Sequence, residues 1–395
     1  MILSVAAVQR TSRHTCALIA VVSLFLGGAV ALRLVLLPVT EGWDFHAYER
    51  LAWLTLHGRD VYGMKRIDLP LAWTYFPLGL DMFSGLEWMA LHTGWPFRVL
   101  GKLPTVAADL GVGWLLFTAL RRRGHNEWVA VTGMASYLFN PLVLYNGTFL
   151  GRFDALALFF LLYGLEHYRT RLFAPAYALA IAVKTFPLFL LPVLALGRDR
   201  QDPRRLLVAC VLVPLLALPT IVTDPHGLVA YLFYDARATW FGRLSWYVLL
   251  EHSQWVSQAH VLTIARAGMV VFALSLLVVV QQPLYTKVAA CFALFITLNR
   301  AVWEQYLLWA LPFLIIVWLH ERSRLALWLA LVCTCAGMLE NEQTWTPYDR
   351  QLSYALLPTP SGWLNGVLAL SAVVFVSAQV WTGRTRRRSM LGEDT

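Results

Sequence analysis

Long apolar runs, separated by short basic clusters, dominate this chain of 395 residues. A helix needs about 20 mostly apolar residues to cross a bilayer, and this criterion predicts membrane spans along the whole length. The predicted spans lie near residues 15–38, 100–120, 128–146, 152–168, 204–222, 260–281, 284–300, 303–319, 324–340 and 361–382. The chain is therefore predicted to be an all-α, polytopic membrane protein.

The stretch 172–197 does not fit a single span, because Lys184 and Pro187 interrupt its apolar sequence. As one helix, it would place the basic run Arg198–Arg205 on the opposite side of the membrane from the other basic loops. Two short helices that break at Lys184–Pro187 keep these loops together. A break at membrane depth must be shielded by protein or line a cavity. We therefore expect a broken pair of helices here.

The apolar stretch 76–93 carries Asp81 and Glu87, and as a span it would place Arg121–Arg123 outside. We interpret it as an interfacial helix within the first outer loop. These assignments give about twelve spanning or partly spanning helices, with both termini cytoplasmic. The large outer loops are 40–99, 223–259 and 341–362, and residues 1–395 form a single domain.

The charge distribution supports this topology. The net charge is +9, but the basic residues lie in short runs between apolar segments, as in cytoplasmic loops. A nucleic-acid patch is the less favoured interpretation, and no nucleic-acid partner is expected. A charged content of 14% is too low for a soluble domain of this length.

The five cysteines lie in apolar runs, with no disulfide framework or metal-binding spacing. The first apolar run is expected to be a retained helix rather than a signal peptide.

Polar side chains begin close to the end of the first predicted span. Asp44 follows that span by a few residues. A carboxylate at this position either accepts a proton from a sugar hydroxyl, helps to hold a metal, or caps the helix predicted over 45–57. Within the span at 100–120, Asp109 requires a partner, either Lys102 or a residue of another helix.

A glycine-rich turn follows the span at 128–146. Arg152 and Asp154 lie at the start of the next helix, where free N–H groups and the helix dipole favour an anion such as phosphate. A local ion pair, with Asp154 as the cap, is an equal alternative. Lys184, between two apolar halves, needs a polar cavity or a partner, and a lipid phosphate is a natural one.

Two later outer segments also carry charges. Arg237 and Arg243 lie among aromatic residues, where a binding role competes with amphipathic packing on the bilayer surface. Glu304 and Gln305 occupy the first turn of the helix that follows the span at 284–300. An acid there either complements the helix dipole or binds substrate.

In their order along the chain, these motifs resemble those of the GT-C-fold glycosyltransferases, polytopic enzymes that take sugars from polyprenyl-phosphate donors. They are similar in particular to the GPI-anchor mannosyltransferases and their prokaryotic relatives. The likeness covers the chain up to about residue 315. The matching segments are Trp43-Asp44-Phe45 through Tyr48, Gly58 to Tyr62, Tyr75 to Pro77, Lys102-Leu103-Pro104 with Asp109, Asn140-Pro141 through Asp154, Lys184 with Pro187, and Glu304-Gln305-Tyr306 with Trp309 and Pro312.

The resemblance implies an inverting transfer of a hexose, above all mannose, to a lipid-linked or surface glycan acceptor on the non-cytoplasmic face. It implies that Asp44 is the general base or orients the acceptor. The residues that would hold the donor phosphate are Arg152, Lys184 and Arg243. The residues that would shape the sugar and acceptor pocket are His46, Tyr48, Tyr75, Lys102, Asp154, Glu304, Gln305 and Tyr306.

One departure concerns metal binding. The GPI-anchor mannosyltransferase carries a paired-acid Asp-x-Asp motif in its first loop, whereas Gly42 stands two residues before Asp44 here. Glu41 is one residue out of register with that motif. The resemblance therefore leaves dependence on a divalent metal, Mg²⁺ or Mn²⁺, open.

Two other functions compete with this interpretation. A transporter or flippase for a lipid-linked sugar would also use a broken helix and an intramembrane lysine, but the sequence contains no internal repeat, and its long loops share one face. A non-catalytic membrane subunit is the second alternative. An arginine-rich, lysine-poor composition points to a bacterial plasma membrane, with the site facing outward.

Overall fold

A computed structural model describes residues 2–39, 42–59, 61–62, 73, 75–223, 244–252, 256–342 and 361–391. Helices make up 80% of the structure, and these described residues include no strands. The prediction of an all-α fold is therefore confirmed.

The helices described up to the break at Lys184 are α1 (Ile2–Leu36), α2 (Trp43–Leu56), α3 (Pro77–Thr93), α4 (Phe97–Leu100), α5 (Leu103–Arg122), α6 (Glu127–Leu138), α7 (Pro141–Val143), a π-helix (Leu144–Phe149), α8 (Asp154–Glu166) and α9 (Phe173–Val183). Those described after it are a 3₁₀-helix (Phe186–Leu190), α10 (Leu191–Ala195), α11 (Pro203–Leu216), α12 (Leu218–Thr223), α13 (Tyr247–His252), α14 (Gln258–Val279), α15 (Leu284–Leu298), α16 (Glu304–Glu321), α17 (Arg324–Glu342) and α18 (Ser361–Leu391).

Several helix boundaries follow directly from local sequence. The side chains of Asn126 and Asp202 accept backbone N–H bonds at the starts of α6 and α11. Pro77 opens α3, where its missing N–H group costs nothing. Gly94 ends α3 with a φ of 74°, a conformation that glycine adopts without steric penalty.

The predicted break in the stretch 172–197 is present. Helix α9 ends at Val183, and Lys184 is extended, with φ −154° and ψ 130°. A 3₁₀-helix then begins at Phe186, with Pro187 in its first turn. The lysine and the proline therefore interrupt the helix at the position that was predicted from the distribution of basic loops.

The predicted count of about twelve crossings is not supported. By length and composition, the helices that could cross a membrane are Cys16–Leu36, Phe97–Arg122, Ala259–Val279 and Leu364–Thr382. The bent pair Glu127–Leu138 and Pro141–Phe149 adds a fifth if it counts as one span. Most other predicted spans are helices of fewer than 18 residues, because prolines and charged residues end them early. For example, α8 has 13 residues, which is about 20 Å.

Helix α3 coincides with the predicted interfacial helix at 76–93. Its buried face includes Leu80 and Phe83, while Trp88, Met89 and Leu91 are exposed. An exposed apolar face with tryptophan fits a helix that lies among lipid headgroups. Its place in the membrane stays a prediction.

The helices give the bundle two chemically different ends. Helices α5, α8 and α16 run between them. At one end, Arg123 Nη2 lies 3.0 Å from Glu166 Oε1, and Lys287 Nζ donates to the Arg198 carbonyl at 2.7 Å. We call this the basic end, because the basic runs 121–123, 167–171, 198–205 and 322–324 meet there. The opposite, carboxylate end is defined by the helix starts that carry Asp44, Asp154 and Glu304.

Asp109 in the interior of α5 is paired with a residue of another helix. Arg33 Nε of α1 lies 3.8 Å from Asp109 Oδ2, and the Tyr137 hydroxyl of α6 donates to Oδ1 at 3.1 Å. All three side chains are buried. Of the two predicted partners, the structure therefore supports another helix, and this polar group ties α1, α5 and α6 together.

The positive-inside rule predicts that the basic end is cytoplasmic, and this orientation can be tested. A protease-cleavable epitope tag inserted after Arg122 should be inaccessible to protease added outside intact cells and become accessible after lysis. The matched control is the same tag after Arg59 in the first outer loop, which should be cleaved in intact cells. Cleavage of the Arg122 tag from outside would invert the assigned orientation.

Candidate active site

Asp44 lies in the first turn of α2, and its partner is a residue far along the chain. The N-cap of α2 is Gly42, so Asp44 does not cap the helix. Its Oδ2 atom accepts a bond from Arg152 Nε at 3.2 Å. About a third of the Asp44 side chain is exposed. The carboxylate is therefore oriented by Arg152 but remains accessible.

Arg152 is positioned by an irregular backbone. The π-helix before it ends at Phe149, and Gly151 adopts a φ of 75°. A Cβ atom at Gly151 would lie 2.2 Å from the Phe45 ring, so glycine is required there for both conformation and space. The Arg152 backbone N–H then donates to the Asn146 carbonyl at 2.9 Å. Single turns of π-helix occur frequently at functional sites.

The guanidinium of Arg152 joins four side chains from three segments of the chain. Nη1 donates to Asn146 Oδ1 at 3.0 Å and to Gln305 Oε1 at 2.6 Å, and it also binds Glu304. Together with Asp44, this gives the arginine two carboxylate partners. Burial alone lowers the pKa of Arg152, but the charges of Glu304 and Asp44 outweigh it and hold the pKa above its ordinary value.

Glu304 and Gln305 occupy the first turn of α16 and are buried. Their side chains converge on Arg152, so binding this cation is part of their role beyond any effect of the helix dipole. Asp44, Glu304 and Gln305, each predicted as a site residue, thus all contact Arg152.

Lys184 and Asp154 form a second buried ion pair. Lys184 Nζ lies 2.7 Å from Asp154 Oδ2, and the Trp309 indole N–H donates to Asp154 Oδ1 at 2.7 Å. The ammonium also lies over the rings of Tyr75, at 4.9 Å, and Phe153, at 5.0 Å. Asp154 therefore pairs with Lys184, rather than with its sequence neighbour Arg152. The break after α9 places the lysine where it satisfies this carboxylate.

Aromatic side chains line the space between α2 and α8. Tyr48 stacks on Phe83 at 4.9 Å between ring centroids, and Tyr75 meets Phe153 edge to face at 5.2 Å. Burial, and after it the charge of Asp44, raises the pKa of Tyr75 well above its ordinary value. Its hydroxyl therefore stays protonated at physiological pH.

The other candidate residues lie around these clusters. Lys102 is fully buried beneath them, and its Nζ donates to the Phe149 carbonyl at 3.0 Å. Tyr306 stacks on Trp309 at 4.1 Å between centroids. His46 points outward and is more than half exposed. Arg243, like Arg237, lies outside the described residues.

Two contributors were missed in the sequence. These are Asn146 and Phe153, neither of which the sequence predicts as a site residue. Only the π-helix brings the Asn146 amide to Arg152. The only signal in the sequence for Asn146 was its place close to the start of the helix that follows the glycine-rich turn, and this signal is weak.

The residues at this site do not fit a metal held by paired acids. Asp44 and Glu304 both bind Arg152. A Cβ atom at Gly42 would lie 3.1 Å from the Leu150 carbonyl oxygen, so a side chain there would fit only if Leu150 moved by a few tenths of an ångström. Among the described residues, no group of three His, Cys, Asp or Glu side chains could hold a metal ion.

The fold and the site define a helical membrane protein with a buried, charged cluster at one end of its bundle. The chain is 26% identical, over 268 residues, to GPI mannosyltransferase 1 from Gibberella zeae. The similarity covers 58% of this chain and 63% of that protein, which is less than two thirds of its length. The chain matches no protein-family model. The similarity supports a relationship to mannosyltransferase-type glycosyltransferases.

The Lys184–Asp154 pair gives a stability prediction. Lys184→Met should leave the Asp154 carboxylate buried without its cation, at a cost of roughly 3 to 5 kcal/mol, seen as a lower Tm in detergent. Replacing both residues, with Lys184→Met and Asp154→Leu, should recover much of that loss. The control Glu127→Gln breaks a half-exposed pair with Arg121 and should change stability by less than about 1 kcal/mol. Equal Tm values for Lys184→Met and the control would contradict a buried ion pair.

Proposed function

We propose that this protein is a membrane mannosyltransferase that moves mannose from a polyprenyl-phosphate-mannose donor to a lipid-linked or surface glycan acceptor. The cluster of Asp44, Arg152 and Glu304 is the main support, because it combines an accessible carboxylate with a fixed cation at one end of a membrane bundle. The similarity to a GPI mannosyltransferase favours mannose over other hexoses.

Asp44 is the proposed general base. Arg152 engages its Oδ2 atom, which leaves Oδ1 for an acceptor hydroxyl. In a single displacement, that hydroxyl attacks the anomeric carbon while Asp44 takes its proton. The bond between the anomeric carbon and the phosphate oxygen breaks, and the polyprenyl phosphate leaves with the electron pair. Attack from the opposite face inverts the anomeric configuration.

The leaving phosphate gains negative charge as the glycosidic bond breaks, and fixed cations stabilise it. Arg152 is suited to this because its bonds to the described residues use only Nε and Nη1. Lys184, in the adjacent cluster, is the second proposed cation, and Arg243 is a third from the sequence. Because both Arg152 and Lys184 are held by carboxylates, neither has to reorganise during the reaction.

The sugar and acceptor pocket is proposed to lie between the two ion-pair clusters. Tyr48 and Tyr75 keep neutral hydroxyls beside Asp44. Glu304 and Gln305 offer oxygens that accept bonds from sugar hydroxyls. Further residues proposed to shape this pocket are His46, Lys102, Asp154 and Tyr306.

A lipid-linked donor is compatible with a site that lies at one end of the bundle. If the basic end is cytoplasmic, the carboxylate end opens on the non-cytoplasmic face. A polyprenyl tail then remains in the bilayer, while its head group reaches the site. A transporter instead places its substrate site near the middle of the membrane, with access from both sides. The position of the cluster at helix starts favours the transferase.

Asp44→Asn tests this role directly. The amide cannot take the acceptor proton, so mannose transfer from polyprenyl-phosphate-mannose in membranes should fall by about 100-fold or more, with normal expression. The matched control is Glu49→Gln, which removes a half-exposed carboxylate of the same helix and should retain activity. Full activity of the Asp44→Asn protein would exclude Asp44 as the base.

A further inference from the structure

Lys102 is a fully buried lysine beneath the two ion-pair clusters. It is the N-cap residue of α5, and its Nζ atom donates to the Leu37 carbonyl at 3.0 Å and to the Phe149 carbonyl at 3.0 Å. Leu37 follows α1 directly, and Phe149 is the last residue of the π-helix. One ammonium group therefore joins the end of α1 to the end of the π-helix.

Carbonyls at the end of a helix need a partner from outside it. The last carbonyls have no N–H group within the helix to accept from, and the helix dipole also favours a cation near them. Lys102 supplies both the donor and the charge. It therefore stabilises the end of the π-helix at Phe149, three residues before Arg152.

Asp109 contacts the same π-helix from a later turn of α5. A Cβ atom at Gly147 would lie 2.6 Å from Asp109 Oδ2, so a larger residue there would have to displace the carboxylate. The Tyr137 hydroxyl donates to this carboxylate at 3.1 Å, and Arg33 Nε lies 3.8 Å from it. The side chains of Asp109, Tyr137 and Arg33 are buried. Helix α5 thus supports the π-helix both at Gly147 and at its last residue.

Phe45 extends this support to α2. Its ring packs against Gly151, where a Cβ atom would lie 2.2 Å away, and Lys102 Nζ lies over the same ring at 5.6 Å. Phe45 directly follows Asp44, and Gly151 directly precedes Arg152. Lys102 therefore contacts both of the segments that bring the proposed base and its arginine partner together.

A second buried lysine makes the same kind of contact at the basic end of the bundle. Lys287 on α15 is also fully buried, and its Nζ atom donates to the Arg198 carbonyl at 2.7 Å. Both lysines therefore stabilise the fold through backbone carbonyls. Of the two, Lys102 alone lies beside the segment that leads to Arg152. Comparing them separates a contact that only stabilises the fold from one that also positions the site.

We propose that Lys102 and Asp109 are positioning residues, which hold the π-helix and so set the place of the Arg152 guanidinium. Both act through the π-helix rather than through contact with the substrate, so Lys102 shapes the pocket indirectly. If the π-helix shifts, the Asn146 amide shifts with it, and Arg152 then no longer orients Asp44. The inference rests on the proposed function for its effect on mannose transfer.

The variant Lys102→Met tests this role through kcat. Because a small misplacement of reacting groups costs up to about 100-fold in rate, kcat per folded enzyme should fall roughly 10- to 100-fold, with KM nearly unchanged. Lys102→Gln should recover part of kcat, because its amide N–H groups can donate to both carbonyls. The matched control is Lys287→Met, which should lower Tm to a similar extent and retain kcat.

Amide hydrogen exchange tests the same support without mannose transfer. The backbone N–H groups of Leu150, Gly151 and Arg152 donate to carbonyls of the π-helix at 2.8, 3.1 and 2.9 Å. Their exchange should become about tenfold faster, or more, in Lys102→Met and in Gly147→Ala.

The matched control for the glycine variant is Gly133→Ala on α6. A Cβ atom at Gly133 would lie 2.4 Å from Leu120 Cδ1, away from the site, so this variant tests a similar steric conflict elsewhere in the bundle. Exchange at residues 150–152 should stay at the wild-type rate in Gly133→Ala and in Lys287→Met.

Equal kcat values for Lys102→Met and Lys287→Met would overturn the positioning role of Lys102, and so would a Lys102→Gln protein no more active than Lys102→Met. Wild-type exchange in Gly147→Ala would overturn the role of Asp109, and this variant also carries the exchange test if Lys102→Met does not fold. Faster exchange in both variants, without any mannose transfer by the wild type, would leave the positioning role standing and refute only the proposed function.

Discussion

The largely buried guanidinium of Arg152 makes the contacts on which the carboxylate end of this protein depends. It binds Asp44 at the start of α2, Asn146 in the π-helix, and Glu304 and Gln305 at the start of α16. Such a cation is stable in a largely buried position only if most of its donors are paired, and here two carboxylates and two amides accept bonds from Nε and Nη1. The same contacts orient Asp44. One set of hydrogen bonds therefore both pairs the Arg152 guanidinium and holds the proposed general base in place.

The interruptions of helical structure follow from this requirement. A regular helix through residues 144–154 would not carry the Asn146 amide and the Arg152 guanidinium to one point, and the π-helix with Gly151 allows it. In the same way, the break after Val183 frees Lys184 to reach Asp154. The π-helix and the break after Val183 each place a charged side chain against its partner. These contacts explain how charged residues are accommodated among packed helices.

The sequence was sufficient to predict the all-α fold and the break at Lys184, because hydropathy and the distribution of basic loops are local or additive properties. Only the family resemblance assigned Asp44, Arg152 and Glu304 to one site, and their contacts through Arg152 are seen in the structure alone. The partner of Asp154 was not predictable in this way, because Lys184 lies 30 positions away along the chain and their contact depends on tertiary packing. The number of spans was overestimated, because hydropathy does not register where a proline or a buried charge ends a helix.

The proposed mechanism transfers mannose from a lipid phosphate with inversion, at a site whose described residues do not fit a metal held by paired acids. The most direct measurement uses purified protein in liposomes with polyprenyl-phosphate-β-mannose and a synthetic lipid-linked acceptor, followed by determination of the product's anomeric configuration. The account predicts an α-mannoside that forms equally well in EDTA. A β-mannoside, transfer only from a nucleotide sugar, or loss of transfer in EDTA would contradict it.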